Sequence, residues 1–293
     1  MLKKIIILMI ALVCLLSVSM VSATDTNTTG DGGVVAVADT PGNFTELANA
    51  ISGTSSGGTL ELTKNYTNTD GYSSNGITIS NSITIDGKGH TINANQQGRI
   101  FNIANGVSVT LNNINFINGK DTSSTSGGGA IYNGGSVTVT NSSFTNTTTT
   151  KGNGGGAIHN GGGSVTVVIN SSFTNTTAGA YGGAIYVYDN SKITVRNSTF
   201  INTTATSYGG AIYIRDGVNA SVSDSKFIST SASGANSYGG AIFGYRNTNI
   251  TVSSSNFTDT KASKNGGAIH NGGSGSVTVT NSSFTNTTAN TGG

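Results

Sequence analysis

The sequence predicts an all-β chain: a right-handed parallel β-helix, a solenoid of coils about 27 residues long, with a short N-terminal capping α-helix. Three observations carry this. The motif Gly-Gly-Ala-Ile returns with Ala130, Ala157, Ala184, Ala211, Ala241 and Ala268, at intervals of 27 or 30 residues. A Phe returns in step with it, as Phe116, Phe144, Phe173, Phe200, Phe227, Phe257 and Phe284, at intervals of 27 to 30. Between them, stretches such as Ser-Val-Thr-Val-Thr (136–140) alternate apolar and polar residues with the period of a strand.

The N-terminal residues come first. Lys3 and Lys4, a long apolar run and Val21-Ser22-Ala23 have the order of a secretory signal, so residues 1–23 are read as a signal peptide cleaved after Ala23. An uncleaved anchor is the alternative, since the run approaches the length of a membrane span. The expected localisation is secreted or extracellular, at a cell surface. Cys14 lies inside the signal, which leaves the mature chain without cysteine or disulfides. The 14 Lys and Arg lose Lys3 and Lys4 and then balance the 12 Asp and Glu. A neutral chain without basic clusters gives no footprint for nucleic acid, and contact with a membrane is expected only through an uncleaved signal. Only 9% of residues are charged and 43 of 293 are Gly, yet Ile, Val and Phe recur on schedule, which argues for order over disorder.

Residues 24–42 are read as a linker. In 43–57, Phe44, Leu47, Ala48 and Ile51 have helical spacing, as expected of a helix that covers the open end of a solenoid. Residues 58–126 read as degenerate first coils, with Ile103 to Phe116 aligning without a gap on Ile131 to Phe144. Residues 127–293 carry the regular repeats. No second cap follows Phe284, so the reading leaves open a C-terminal truncation or a partner at that end.

Each coil position should stack on its equivalent in the next. The Ile after each repeat Ala, from Ile131 to Ile269, forms one inward column and the Phe another; Val137, Val139, Ile193 and Val195 fill a further wall. The Gly pairs permit a sharp corner. Asn recurs two residues after Phe and three before it, where amides turn the chain, stack in ladders, or do both.

The search for chemistry yields no catalytic residue, no metal site and no cofactor. Asp189 and Asp216 share one coil position, with Arg246 next in the column and Arg215 beside it. This is read as a solvated edge, against the alternative of a glycosidase-like carboxyl pair. His90 sits in a Gly turn, and His159 and His270 are four coils apart, too far to share a metal. Two residues after each repeat Ala stand Tyr132, His159, Tyr186, Tyr213, Phe243 and His270, expected to face outward; Tyr181, Tyr208 and Tyr238 form a second column. Exposed aromatic stripes can stack on sugars or partner proteins, or serve only to stiffen the wall. Sequons run from Asn27 to Asn286, several within the Asn ladders. Thr columns suggestive of ice binding are read as broken by Val168, Arg196 and Ser223.

The Gly-Gly-Ala-Ile motif with a downstream Phe-x-Asn, as in Phe144-Thr145-Asn146, resembles the polymorphic outer-membrane protein repeat of chlamydiae. The spacing differs from that repeat by one residue, and no autotransporter barrel follows. The whole layout is more similar to adhesin-like proteins of methanogenic archaea. There a helix like Phe44-x-Glu46-Leu47 leads through a segment like Ile83-Thr84-Ile85-Asp86-Gly87-Lys88-Gly89-His90-Thr91-Ile92 into Asn/Thr-rich repeats. The resemblance spans Phe44 to Phe284. It implies a surface adhesin-like protein whose partners are extracellular glycans or surface proteins of other cells, and it brings no catalytic residues. The competing expectations are a pectate-lyase-like polysaccharide lyase or hydrolase on the same fold, and an inert spacer.

Overall fold

The computed structural model describes residues 40–122, 127–150, 152 and 154–292. The signal segment, most of the linker and Asn27 lie outside them. The described chain is a parallel β-solenoid. A nine-stranded wall runs from Thr59–Glu61 to Gly275–Thr280, an eight-stranded wall from Ile77–Ile79 to Ile269–Asn271, and a nine-stranded wall from Tyr66–Thr67 to Ser283–Thr285. A ribbon of six two-residue strands, Lys120–Asp121 to Lys261–Ala262, closes six successive turns. Every strand pair is parallel, and each strand bonds its counterpart one coil away.

Alternation along these strands fixes the core. Ile131, Ile158, Ile185, Ile212 and Ile242 pair in register and are buried, as are Val137, Val139, Ile193 and Val195. The Phe column is equally regular, with rings from Phe116 to Phe284 stacked at centroid spacings of 4.7–4.9 Å. All but Phe284, in the last coil, are fully buried. Such rings dominate core energetics because each removes a large apolar area from water. Beside the Phe wall runs a buried serine ladder: Ser171 N–H donates to the Ser198 hydroxyl at 3.2 Å, which donates to the Arg196 carbonyl at 2.9 Å. Thr147, Thr176, Thr203 and Thr230 form a second buried hydroxyl column with no hydrogen-bond partner, whereas Thr260 donates to the Gly267 carbonyl at 2.7 Å.

The corners explain the Gly pairs. Gly209 has φ +63°, in the left-handed region, and a β-carbon on Gly210 would collide with the Gly240 carbonyl oxygen of the next coil. The first Gly supplies a conformation and the second supplies closeness. At the other two corners the Asn columns do both things expected of them. Asn141, Asn170 and Asn197 have φ between +47° and +50°, and Asn197 Nδ2 donates to Asn170 Oδ1 at 2.8 Å. Where Asp224, Ser229, Ser254 and Asp259 replace Asn, φ stays positive, so the turn is kept when the amide is not.

Helix α1 spans Phe44–Gly53. Asn43 caps it, its side chain accepting from Glu46 N–H at 2.8 Å, and Phe44, Leu47 and Ile51 join the solenoid core. Apolar spacing in one short segment thus closes the end that a solenoid otherwise leaves bare.

Two register expectations need correction. Ile131 pairs with Phe101, and Asn133 with Ile103; the gapless alignment holds only from Ser108 onward, where Ser136 is its partner. Val168 faces inward, with Thr166 beside it, because Val165 pairs with Ser136. A one-residue slip exchanges the faces of a strand, so Ile169, not Val168, interrupts the column from Thr140 to Arg196 and Ser223.

A buried ion pair lies in the early coils. Arg99 Nη2 meets Asp121 Oδ1 at 2.9 Å, and the guanidinium also donates to the Gly127 and Gly128 carbonyls. Desolvation lowers the Arg99 pKa from its ordinary value, and the Asp121 charge opposes that shift.

Candidate functional site

The outward face of the Gly-Gly-Ala-Ile wall carries the aromatic residues. Tyr132, His159, Tyr186, Tyr213, Phe243 and His270 pair in register as one column, with ring centroids 4.8–5.4 Å apart. They point away from the coil interior, as alternation requires. The expectation that they are exposed needs correction: His159, Tyr186, Tyr213 and Phe243 are buried, while Tyr132 and His270 at the ends are half-buried.

The cover comes from both flanks. Tyr181, Tyr208 and Tyr238, bridged in parallel just before the Gly pairs, lean over the next coil. Tyr181 stacks on Tyr213 at 4.9 Å and Tyr208 on Phe243 at 4.8 Å. On the other flank stands a column that the sequence reading did not assemble, Tyr188–Arg215–Tyr245, in register two residues beyond Tyr186, Tyr213 and Phe243. Period two from Tyr186 and Phe243 was the signal for it.

Tyr186, Tyr213 and Phe243 form a second cluster outside the main core, with Tyr181, Tyr188, Tyr208, Tyr238 and Tyr245 packed against it. Over the later coils the flanks part into a groove of about 460 Å³. Tyr181, Tyr208 and Tyr238 line one side, Tyr213, Phe243 and His270 the floor, and Arg215 and Tyr245 the other side. The volume lies within the range of small-ligand sites, and the groove follows the solenoid axis over four coils.

The electrostatics follow from partial burial. Desolvation pushes the Tyr186 phenol up to about 12, against the opposing effect of Arg215, and raises Tyr213 and Tyr208 as well. Burial lowers His270, keeping its imidazole neutral at neutral pH. Burial also works against the Arg215 charge, but its hydrogen bond to Asp216 and the adjoining tyrosines hold it above its ordinary range. Burial thus favours the neutral forms of Tyr208, Tyr213 and His270 in the groove, beside the Arg215 cation.

The Asp189–Asp216 edge lies at the turn beyond Arg215. Asp189 is exposed, and Asp216 Oδ2 is bound by Arg215 Nε at 2.6 Å, with Arg246 Nη1 3.9 Å from its other oxygen. A carboxylate held this way is committed to guanidinium groups, and no carboxylate lines the groove. Among the described residues no group of three His, Cys, Asp or Glu is placed to hold a metal.

No family model and no curated protein matches the chain. A solved chain named L. reuteri 53608 SRRP aligns over 83% of this chain and 98% of its own, at 14% identity and a TM-score of 0.37. A likeness that loose carries no argument about fold or function.

Proposed function

We propose that the protein is a secreted or cell-surface, adhesin-like β-solenoid that binds extracellular glycans in the tyrosine groove and has no catalytic activity of its own. The observation that carries this reading is the groove itself. It is an aromatic-lined cleft on a solenoid whose other outward columns are mostly Thr, Ser and Asn. The resemblance of the repeats and the N-terminal layout to surface adhesins supports the location. Rigid stacking beneath the groove supports binding, because a preformed site loses little conformational freedom when a ligand arrives.

The test is a glycan array probed with the mature chain and with a Tyr208→Ala/Tyr238→Ala variant. Binding to a defined glycan set that the variant loses supports the reading, and an array silent for both proteins favours an inert spacer. The enzyme alternative is checked on the same glycans: turnover abolished by Asp189→Ala/Asp216→Ala would replace a binding module with a lyase or hydrolase.

A further inference from the structure

Two rings at the centre of the groove, Tyr208 and Tyr213, offer edges and not faces, and this decides their chemistry. Tyr208 lies parallel to Tyr181, 5.3 Å away at an interplanar angle of 2°, and on its other side stacks on Phe243. Tyr213 is likewise sandwiched between Tyr186 and Phe243. Faces already stacked on protein rings have no room for a sugar ring. What those two rings offer is their edges and phenol hydroxyls, beside the guanidinium of Arg215.

The charge on this lining has one sign. Arg215 is the charged residue of the groove wall, and no Asp or Glu lines it. Asp216 engages Arg215 through Nε and offsets part of its charge from outside the groove, and the Tyr186 hydroxyl is a second hydrogen-bond partner of the guanidinium; the remaining donors lie outside those two contacts. Arg246 adds a second, exposed cation at the same turn, while Asp189, in the first of the four coils that the groove spans, is exposed and does not line it.

Resting on the reading of the groove as a glycan site, we infer that it selects acidic glycans. A uronic-acid carboxylate is taken by Arg215, and neighbouring sugar hydroxyls are held by the edge hydroxyls of Tyr208 and Tyr238. Charge-assisted hydrogen bonds of this kind are about twice as strong as neutral ones. Selectivity comes from the carboxylate, and the tyrosine edges set the register along the axis.

The test is calorimetric titration of the mature chain with mannuronate and glucuronate oligosaccharides, each paired with the same chain after its carboxyls are reduced to alcohols. The acidic member of a pair is expected to bind at least about tenfold tighter than the reduced one. Arg215→Gln should remove most of that difference and Arg215→Lys should restore part of it, with melting temperature confirming that both variants fold. Tyr208→Phe/Tyr238→Phe, which keeps the rings and deletes the hydroxyls, should weaken both members. Equal binding of acidic and reduced chains overturns the acidic selectivity and leaves the glycan reading standing, as does binding confined to neutral glycans. Affinity unchanged in the Phe pair overturns recognition by the edge hydroxyls. No binding to any glycan, acidic or neutral, removes the parent reading as well.

Discussion

Arg99 lays its guanidinium over the ring of Tyr132, 5.3 Å from the centroid, at the N-terminal end of the aromatic column that runs to His270. The same side chain forms the buried ion pair with Asp121, so one residue links that pair to the aromatic seam. A guanidinium is suited to this place because it can lie flat on a ring while its edge donors reach a carboxylate.

Removing the carboxylate should therefore be severe. Asp121→Ala strands a buried guanidinium and is expected to cost about 3–5 kcal/mol of stability in equilibrium denaturation. Arg99→Met combined with Asp121→Leu should recover most of that loss. A loss well under about 1 kcal/mol for the single variant is what an exposed pair gives, and would contradict the burial.

The Phe column gives a position-dependent expectation. Phe200→Ala empties a fully buried, doubly stacked site and should cost about 3–5 kcal/mol by denaturant unfolding. Phe284 is 45% exposed, with one ring neighbour, and its truncation to Ala should cost only about 1 kcal/mol. Equal losses would show that the column does not end as described.

The two hydroxyl columns should respond in opposite ways. Thr203 Oγ1 is buried without a partner, so Thr203→Val is expected to leave the melting temperature unchanged or raise it. Ser198 both accepts and donates, and Ser198→Ala leaves a buried Ser171 N–H without its acceptor, an expected loss of about 1–3 kcal/mol. A stabilising Ser198→Ala would refute the ladder.

Alkaline pH addresses the seam. The folded pKa of Tyr186 is raised to about 12, above the ordinary tyrosine value of about 10. A raised pKa means the neutral phenol is favoured in the folded chain. The contribution is therefore complete below about pH 10 and is lost as pH climbs toward the folded value. Tyrosinate absorbance should rise in two phases, the upper one accompanied by loss of folded signal and diminished in Tyr186→Phe. A single phase near the ordinary value would place Tyr186 in solvent.

Much of this architecture can be read from the residues themselves, for a physical reason. Ile185 and Phe200 repeat in every regular coil, and stacking makes each repeat a statement about its neighbours, so the inward columns and the Asn corners follow from spacing. The direction of Tyr186 and Tyr213 was legible too, because faces alternate along a strand. Their burial was not, because it depends on how far Tyr181 and Tyr208 lean across the adjoining coil, a tertiary distance with no signature in spacing. Arg215 takes its place between Tyr188 and Tyr245 in only three coils, too few to stand out as a column. The Arg99–Asp121 pair joins degenerate coils where the repeat gives no register, and Val168 was misplaced because its coil carries a slip that reverses inside and outside.

The central claim, that the tyrosine seam is a ligand groove, is tested most directly by tyrosine nitration mapped by mass spectrometry, with and without a glycan selected on the array. Bound glycan is expected to protect Tyr208, Tyr238 and Tyr245 while leaving Tyr72, which packs on the capping helix, unchanged. Unaltered nitration of the groove tyrosines under saturating glycan would contradict the claim and place recognition elsewhere on the solenoid.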